Sequence, residues 1–308
     1  MGDQELPRDA ARAVSARTGQ RSARPARRAF VGAAGALALG AALGGARGAR
    51  AADLDAVRSR GLLKVALYKE FAPFSDGDAA SMRGLDVELA QALAAALDVK
   101  LSLLPFEAGE NVNDDLRNMV WKGHYLGYGP ADVMLHVPVD RRLMQANEQA
   151  LIFAPYYRET LVLAHDRARL PTVRNAEDLV GLPLAAEQGS TGAIGLLSAG
   201  GGRLREQLRI VPTPLEAMAL LQRGEVAAVM ATRAQAESAL AGAARRDAIA
   251  ISPFTLPALP PNGWPVGLAV KADARALADA LDAALGRLRA DGTLRGLYER
   301  AGVTLAAP

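Results

Sequence analysis

The three histidines, His124, His136 and His165, are the first residues to weigh for chemistry. No two of them stand at the spacing that puts paired imidazoles on one helix face, and no His-Glu-x-x-His pattern occurs, so no metal site is expected. Cysteine is absent, which removes disulfides, thiolate metal sites and a cysteine nucleophile. Gly200-Gly201-Gly202 lacks the Lys-Ser/Thr that completes a phosphate-cradling loop. Asp114-Asp115 reads as a helix start, where acids favour the dipole, rather than as a paired acid and base. With no base and acid pair in view, neither catalysis nor a cofactor is expected, and what remains is binding chemistry. Tyr68, Phe71 and Phe74 offer aromatic faces. His136 offers a hydrogen-bonding ring, and Arg141 or Arg142 could clamp an anion with two parallel bonds or simply sit solvated at the surface. Gln188, Gly189, Ser190 and Thr191 open a helix whose free N–H groups favour an anion, although Ser and Thr also cap helices that bind nothing. Thr232 adds a hydroxyl.

Each of these groups lies at or just after an apolar run read as a strand. The runs are Leu62 to Leu67, Ala131 to Val137, Leu182 to Ala186 and Val226 to Met230, with further strands at Val99 to Leu104, Glu159 to Ala164, Leu208 to Val211 and Val266 to Val270. Helices alternate with them. Leu85, Leu89, Leu93 and Leu97 recur every four residues over Gly84 to Leu97, and Leu277, Leu281, Leu285 and Leu288 lie on one face of Asp273 to Arg289. Shorter helices are expected over Asp114 to Trp121, Asn175 to Val180, Ser190 to Ser198, Leu215 to Gln222 and Thr293 to Arg300. The stretch Pro257 to Pro265 breaks the pattern. Alternation of this kind predicts parallel sheets flanked by helices, with strands apolar on both faces. In such sheets ligands sit beyond the carboxyl ends of the strands, which is the end where the candidate residues fall.

The first fifty residues read as a targeting segment. Arg27-Arg28-Ala29-Phe30-Val31 precedes an Ala/Gly/Leu stretch to Gly45 that is too short and too weakly apolar for a permanent span. Ala49-Arg50-Ala51 then offers small residues where a signal peptidase reads. The pattern resembles a twin-arginine export signal, with cleavage expected after Ala51 and the mature chain in the periplasm. The whole chain carries +3 and its pI is near 9.3. Segment 1–51 holds nine Arg and three acids, a net +6, so the remaining 257 residues carry −3. The basicity leaves with the signal, which argues against a nucleic-acid partner. The mature chain shows no second hydrophobic span.

Several short motifs in a fixed order then become specific. Leu63-Lys64-Val65-Ala66 is followed by Phe71-Ala72-Pro73-Phe74, Gly84-Leu85-Asp86-Val87-Glu88-Leu89 and Phe153-Ala154-Pro155-Tyr156-Tyr157, then Gly181 to Thr191, Gly224 to Met230, Gly267 to Lys271 and Asp291-Gly292-Thr293. Together they resemble family 3 of the periplasmic solute-binding proteins, the polar amino acid ABC-transporter type. The resemblance implies an α/β fold of the periplasmic binding protein type II kind, with two α/β lobes joined by two hinge strands around a central cleft. Lobe 1 would comprise 53–157 and 264–308, and lobe 2 would comprise 158–263. The crossings are expected near Arg158 to Val162 and Trp264 to Leu268. Phe71 matches the family's stacking aromatic, or is a plain lip aromatic. At the position of the lobe 2 Asp that holds a ligand ammonium stands Thr232, and an acid common at the end of the first strand is Tyr68. These departures argue against a zwitterionic amino acid and towards an anionic or uncharged small solute. A permease of the ABC type is the partner this reading implies.

A narrower resemblance runs from Asp114 to Pro138. It is similar to a branch associated with PQQ-dependent (quinoprotein) methanol and alcohol dehydrogenases, which implies an accessory or maturation role with the dehydrogenase or its cytochrome c as partner. The segment His124 to Pro130 looks inserted between the helix and the strand, at the end of the strand away from the cleft. His124, Tyr125 and Tyr128 are therefore candidates for partner binding, or they simply cover the lobe edge. A dehydratase-type enzyme on the same fold is the remote third reading.

Overall fold

The computed structural model describes residues 45–255 and 261–308, with side chains from residue 53 onward. Most of the expected export signal, residues 1–44, lies outside the described residues, as does 256–260 within the proline-rich stretch. The first helix, α1 (Gly45–Arg60), spans the expected cleavage bond after Ala51 and packs Leu54 and Val57 against the first core. Among the described residues no helix is long and apolar enough to cross a membrane.

The chain then runs β1 (Leu62–Tyr68), α2 (Leu85–Ala96), β2 (Lys100–Phe106), α3 (Val112–Leu116), one π-helical turn over Arg117–Trp121, β3 (Val133–Pro138), α4 (Arg141–Ala146) and β4 (Ala150–Glu159). After the crossing come β5 (Leu161–Asp166), β6 (Leu184–Glu187), α5 (Thr191–Ser198), β7 (Leu208–Val211), α6 (Pro214–Gln222), β8 (Ala228–Thr232), α7 (Arg233–Leu240) and β9 (Ile249–Pro253). The return strand β10 (Trp264–Lys271) leads to α8 (Arg275–Ala290) and α9 (Thr293–Arg300).

Two five-stranded sheets result, ordered β2-β1-β3-β10-β4 and β7-β6-β8-β5-β9. Within them β1 is parallel to β2 and β3, and β6 is parallel to β7 and β8. The expectation of parallel sheets needs correcting at the crossings. There β10 runs antiparallel to both β3 and β4, and β5 runs antiparallel to both β8 and β9. The reason is geometric: a strand that leaves one sheet to enter the other, and a second that returns, must run in opposite senses. The result is a pair of mixed α/β sheets flanked by helices.

The longer helices form where the sequence offers both an apolar face and an end. Leu85, Leu89 and Leu93 of α2 and Leu277, Leu281, Leu285 and Leu288 of α8 are buried in one core with β1 and β10. Truncating one such leucine to alanine costs about 2–5 kcal/mol. Asn111 rather than Asp114 begins α3, its side chain accepting from the Asn113 and Asp114 N–H groups. Ser190 caps α5, and Thr232 caps α7 in a reciprocal box with Gln235. At the crossing Gly263 has φ +67°, and a Cβ there would overlap the Glu159 carbonyl. Only glycine lets the return strand come this close.

Candidate functional site

A cavity of about 620 Å³ opens between the two sheets, at the carboxyl ends of β1, β2, β3, β6 and β8. The topology makes this site: loops following parallel strands converge where the strands end. Tyr68 to Phe71 come from the end of β1, and Glu107 to Gly109 with Asn111 from the end of β2. His136 and Pro138 come from β3. Glu159, Leu161, Trp264 and Val266 line it at the two crossings. From the second sheet come Glu187, Gly189 to Gly192, Met230 to Thr232 and Gln235.

Of the residues singled out in the sequence, Tyr68, Phe71, His136, Gly189, Ser190, Thr191 and Thr232 line this cavity. Four others do not. Phe74 is fully buried behind the wall, stacked on Phe71 with ring centroids 5.3 Å apart. Gln188 is exposed, and its N–H is spent on the Val211 carbonyl. Arg141 and Arg142 are the exposed first residues of α4, a helix the sequence pattern did not suggest. Asp140 caps that helix by accepting from the Arg142 and Leu143 N–H groups at 2.9 Å. Asp140 and the two arginines are thus a helix start rather than an anion clamp in the cavity wall.

Tyr68 donates its hydroxyl to Asp115 at 2.9 Å, and the other oxygen of that carboxylate accepts from the Gly109 N–H at 2.8 Å. Burial raises the Asp115 carboxyl and, with the neighbouring carboxylate, holds the Tyr68 phenol well above its ordinary value. The position that resembles a lost acid at the end of β1 therefore has an acid behind it, supplied by α3.

A second network lies deeper. Asp86 accepts from the Tyr156 hydroxyl at 2.7 Å and from His136 Nδ1 at 2.9 Å. The Tyr156 oxygen in turn accepts from the His136 backbone N–H at 3.1 Å. Asp86 thereby fixes the proton on Nδ1 and orients the ring. His136 sits at φ +60°, a left-handed conformation that is uncommon for a side chain of this size. It is wedged between Phe71 and Phe74 at 4.8 and 4.2 Å. Its Nε2 is buried with no protein partner.

Glu159, at the end of β4, is 2% exposed. Burial lifts its carboxyl to about 7, with Asp86 also raising it and His136 and Thr232 lowering it. Its Oε1 has no protein partner either. Glu187, at the end of β6, is raised to about 7 by burial and drawn back by the Gln235 side chain. His136 and Glu159 thus both line the cavity, an imidazole and a carboxyl that the sequence pattern did not bring together. Sequence reasoning passed over Glu159. The signal available was its place two residues after Tyr157 on a strand, which sets both on one face.

The charge of the wall is one-sided. Glu70, Glu107, Asp115, Glu159 and Glu187 line it, against one lysine, Lys69, whose Nζ lies 3.4 Å from Asp78. Among the described residues no arginine lines the cavity, and no group of three or more His, Asp or Glu is arranged to hold a metal.

The insertion is outside this site. His124 stacks on Tyr128 at 4.3 Å and lies 4.4 Å from Tyr125, while the His124 N–H donates to the Tyr128 carbonyl. Tyr125 is 88% exposed and Leu126 68%.

No protein-family model matches the chain, and no curated protein sequence does. Solved structures do match, and they identify the two mixed sheets as the periplasmic binding protein type II fold. An amino acid ABC transporter substrate-binding protein from Streptococcus pneumoniae, bound to L-arginine, superposes with TM-score 0.59 at 23% identity, covering 82% of this chain and 99% of that one. An ancestral cationic amino acid solute-binding protein gives TM-score 0.61 at 22% identity over 80% and 98% of the two chains. An ancestral amino acid-binding protein described as a precursor of cyclohexadienyl dehydratase gives 0.55 at 21% over 80% and 97%.

Proposed function

We propose that this chain is an exported periplasmic solute receptor that captures a small polar molecule between two lobes, 53–157 with 264–308 and 158–263, for an ABC-type permease. The observation that carries the reading is the cavity at the carboxyl ends of both sheets, in which two buried polar atoms, His136 Nε2 and Glu159 Oε1, lack protein partners. Buried polar groups are rarely left so, and a ligand that donates hydrogen bonds there satisfies both, since Nε2 of a ring protonated at Nδ1 and a carboxylate oxygen each accept. The similar structures bound to amino acids support the same use of the fold. Tyr68, Phe71, His136, Ser190, Thr191 and Thr232, with Glu159 and Glu187 added, are the contacts assigned to the solute. In this reading the Asp86–His136 pair and Glu159 grip a solute rather than turn one over. A dehydratase assay with prephenate and related hydroxy acids separates the two, since turnover would make the chain an enzyme.

The test is thermal unfolding of the mature chain against amino acids, amines, dicarboxylates, short alcohols and aldehydes, sugars and PQQ. A ligand at 100 times its Kd stabilises by about 2.7 kcal/mol. For a chain of this size that is roughly 5–10 °C. A flat response across the panel would refute the receptor reading.

The exposed Tyr125 and Leu126 favour a second reading, that the loop docks a quinoprotein dehydrogenase or its cytochrome c. Replacing 124–130 by a short glycine linker should then abolish capture of those proteins while leaving solute-induced stabilisation intact.

A further inference from the structure

Building on the receptor reading, we propose that the solute is an organic cation without a carboxylate: a free amine, diamine or alkylguanidine rather than an α-amino acid or an anion. The charges of the wall carry this. An amino acid brings a carboxylate that needs a cationic partner, because a buried charge left unpaired is costly. Arg141 and Arg142 are exposed on α4 and do not line the cavity, and Lys69 is engaged with Asp78. The start of α5 offers backbone N–H groups, but Ser190 already spends its hydroxyl on the Ala193 N–H, and Glu187 stands three residues before it at the strand end. A carboxylate placed there would meet a like charge.

The second observation is Glu159. It is a buried carboxyl at the crossing, lining the cavity, with Oε1 unmatched by any protein donor. A carboxylate in that position is satisfied by an ammonium or guanidinium, which supplies both charge and N–H donors. Phe71 and Trp264 line the same space with aromatic surface that accepts either an alkyl chain or a cation. Thr232, where the family resemblance places an ammonium-binding Asp, lies beside Glu159, so the anionic role has passed from the second sheet to the crossing strand.

Cation capture also links to protons. Glu159 is faced by Asp86 from α2, His136 from β3, Thr232 from β8, Tyr157 on its own strand and Tyr298 from α9. Glu187 is faced by Gln235 from α7. Both carboxyls titrate at about 7, so a cation draws them into the ionised form and binds more tightly as pH rises.

The experiment is calorimetric titration of the purified protein with matched pairs: agmatine against arginine and cadaverine against lysine, which differ only in the carboxylate. Agmatine and cadaverine are expected to bind at least about tenfold more tightly than their partners, since one compensated charge pair is worth about that factor. Glu159→Gln should weaken the amine at least tenfold, and Glu187→Gln should weaken it to a lesser degree. From pH 8 to pH 6 amine affinity should fall by about tenfold for each carboxyl that must ionise. If the amino acids or dicarboxylates bind more tightly than the amines, or if Glu159→Gln leaves amine affinity unchanged, the ligand class is wrong while the receptor reading stands. If no compound of any class binds, the receptor reading itself fails.

Discussion

Replacing Glu159 by glutamine should make the ligand-free protein more stable at neutral and alkaline pH, although it removes a charged group from a polar site. Burial holds this carboxyl at about 7 in the folded chain, against 4.5 for an ordinary glutamate. The folded state therefore binds the proton more tightly than the unfolded one. This group's cost is absent below pH 4.5, grows as the pH rises from 4.5 to 7, and is complete above 7. At about 1.4 kcal/mol for each tenfold change in proton affinity, the cost above pH 7 is about 3 kcal/mol. Glutamine fills the same volume and never ionises, but its amide must find a partner, which takes back about 1 kcal/mol. The net gain of about 2 kcal/mol corresponds to a Tm higher by roughly 4–8 °C at pH 8, with little or no difference at pH 4.5. Thermal unfolding of wild type and variant side by side at both pH values reads this directly. A variant no more stable than wild type at pH 8 would refute the claim that Glu159 is a buried, uncompensated carboxylate.

Other perturbations test the surrounding framework. Tyr156→Phe removes the donor to Asp86 and orphans the buried His136 N–H, and should cost about 1–3 kcal/mol in urea unfolding. Gly263→Ala places a Cβ against the Glu159 carbonyl at a left-handed φ, so it should lower Tm and weaken solute binding together, because both depend on the crossing. Asp140→Ala removes the cap of α4 and should cost about 1 kcal/mol while leaving solute affinity unchanged, since Arg141 and Arg142 do not line the cavity. Tyr125→Ser with Leu126→Ser touches only exposed side chains and should change stability by less than about 0.5 kcal/mol.

What the sequence made legible follows from which signals are local. The four-residue leucine spacing of α2 and α8 survives any tertiary arrangement, and both helices form within a residue or two of the expected limits. The cap at Ser190 is likewise local chemistry, as is the Thr232–Gln235 box that the structure shows at the start of α7 and that the sequence reading did not name. Strand direction is not, because an apolar run such as Trp264–Lys271 reads the same parallel or antiparallel. The helix α4 was illegible because its six residues carry no apolar face, and only Asp140 marks its start. The strand β4 was seen only at its end, since Pro155 interrupts its apolar run. The same limits governed the site. Strand ends placed seven of the candidate residues at the cavity, yet Asp86, Asp115 and Glu159 were missed. Their importance lies in which side chains meet across elements far apart in sequence, such as Asp86 with His136 and Tyr156.

Among the described residues the buried polar atoms without partners are not scattered. His136 Nε2, Glu159 Oε1, Thr160 Oγ1 and the hydroxyls of Tyr157 and Tyr298 belong to β3, to the β4–β5 crossing and to α9, while the buried apolar cores of the second sheet carry none. His136 adds a left-handed backbone at the same place. Unsatisfied groups and backbone strain each cost about 1–3 kcal/mol and persist only where the surroundings over-determine them. Here the surroundings are the two crossing strands, held in register by Trp264 opposite Glu159 and by the glycine beside it. A protein selected for stability alone would place apolar side chains at the floor of this cavity. The retained carboxyl and imidazole are instead groups whose cost a bound partner can remove, and the partner that removes both the charge of Glu159 and its missing hydrogen bond is a cation.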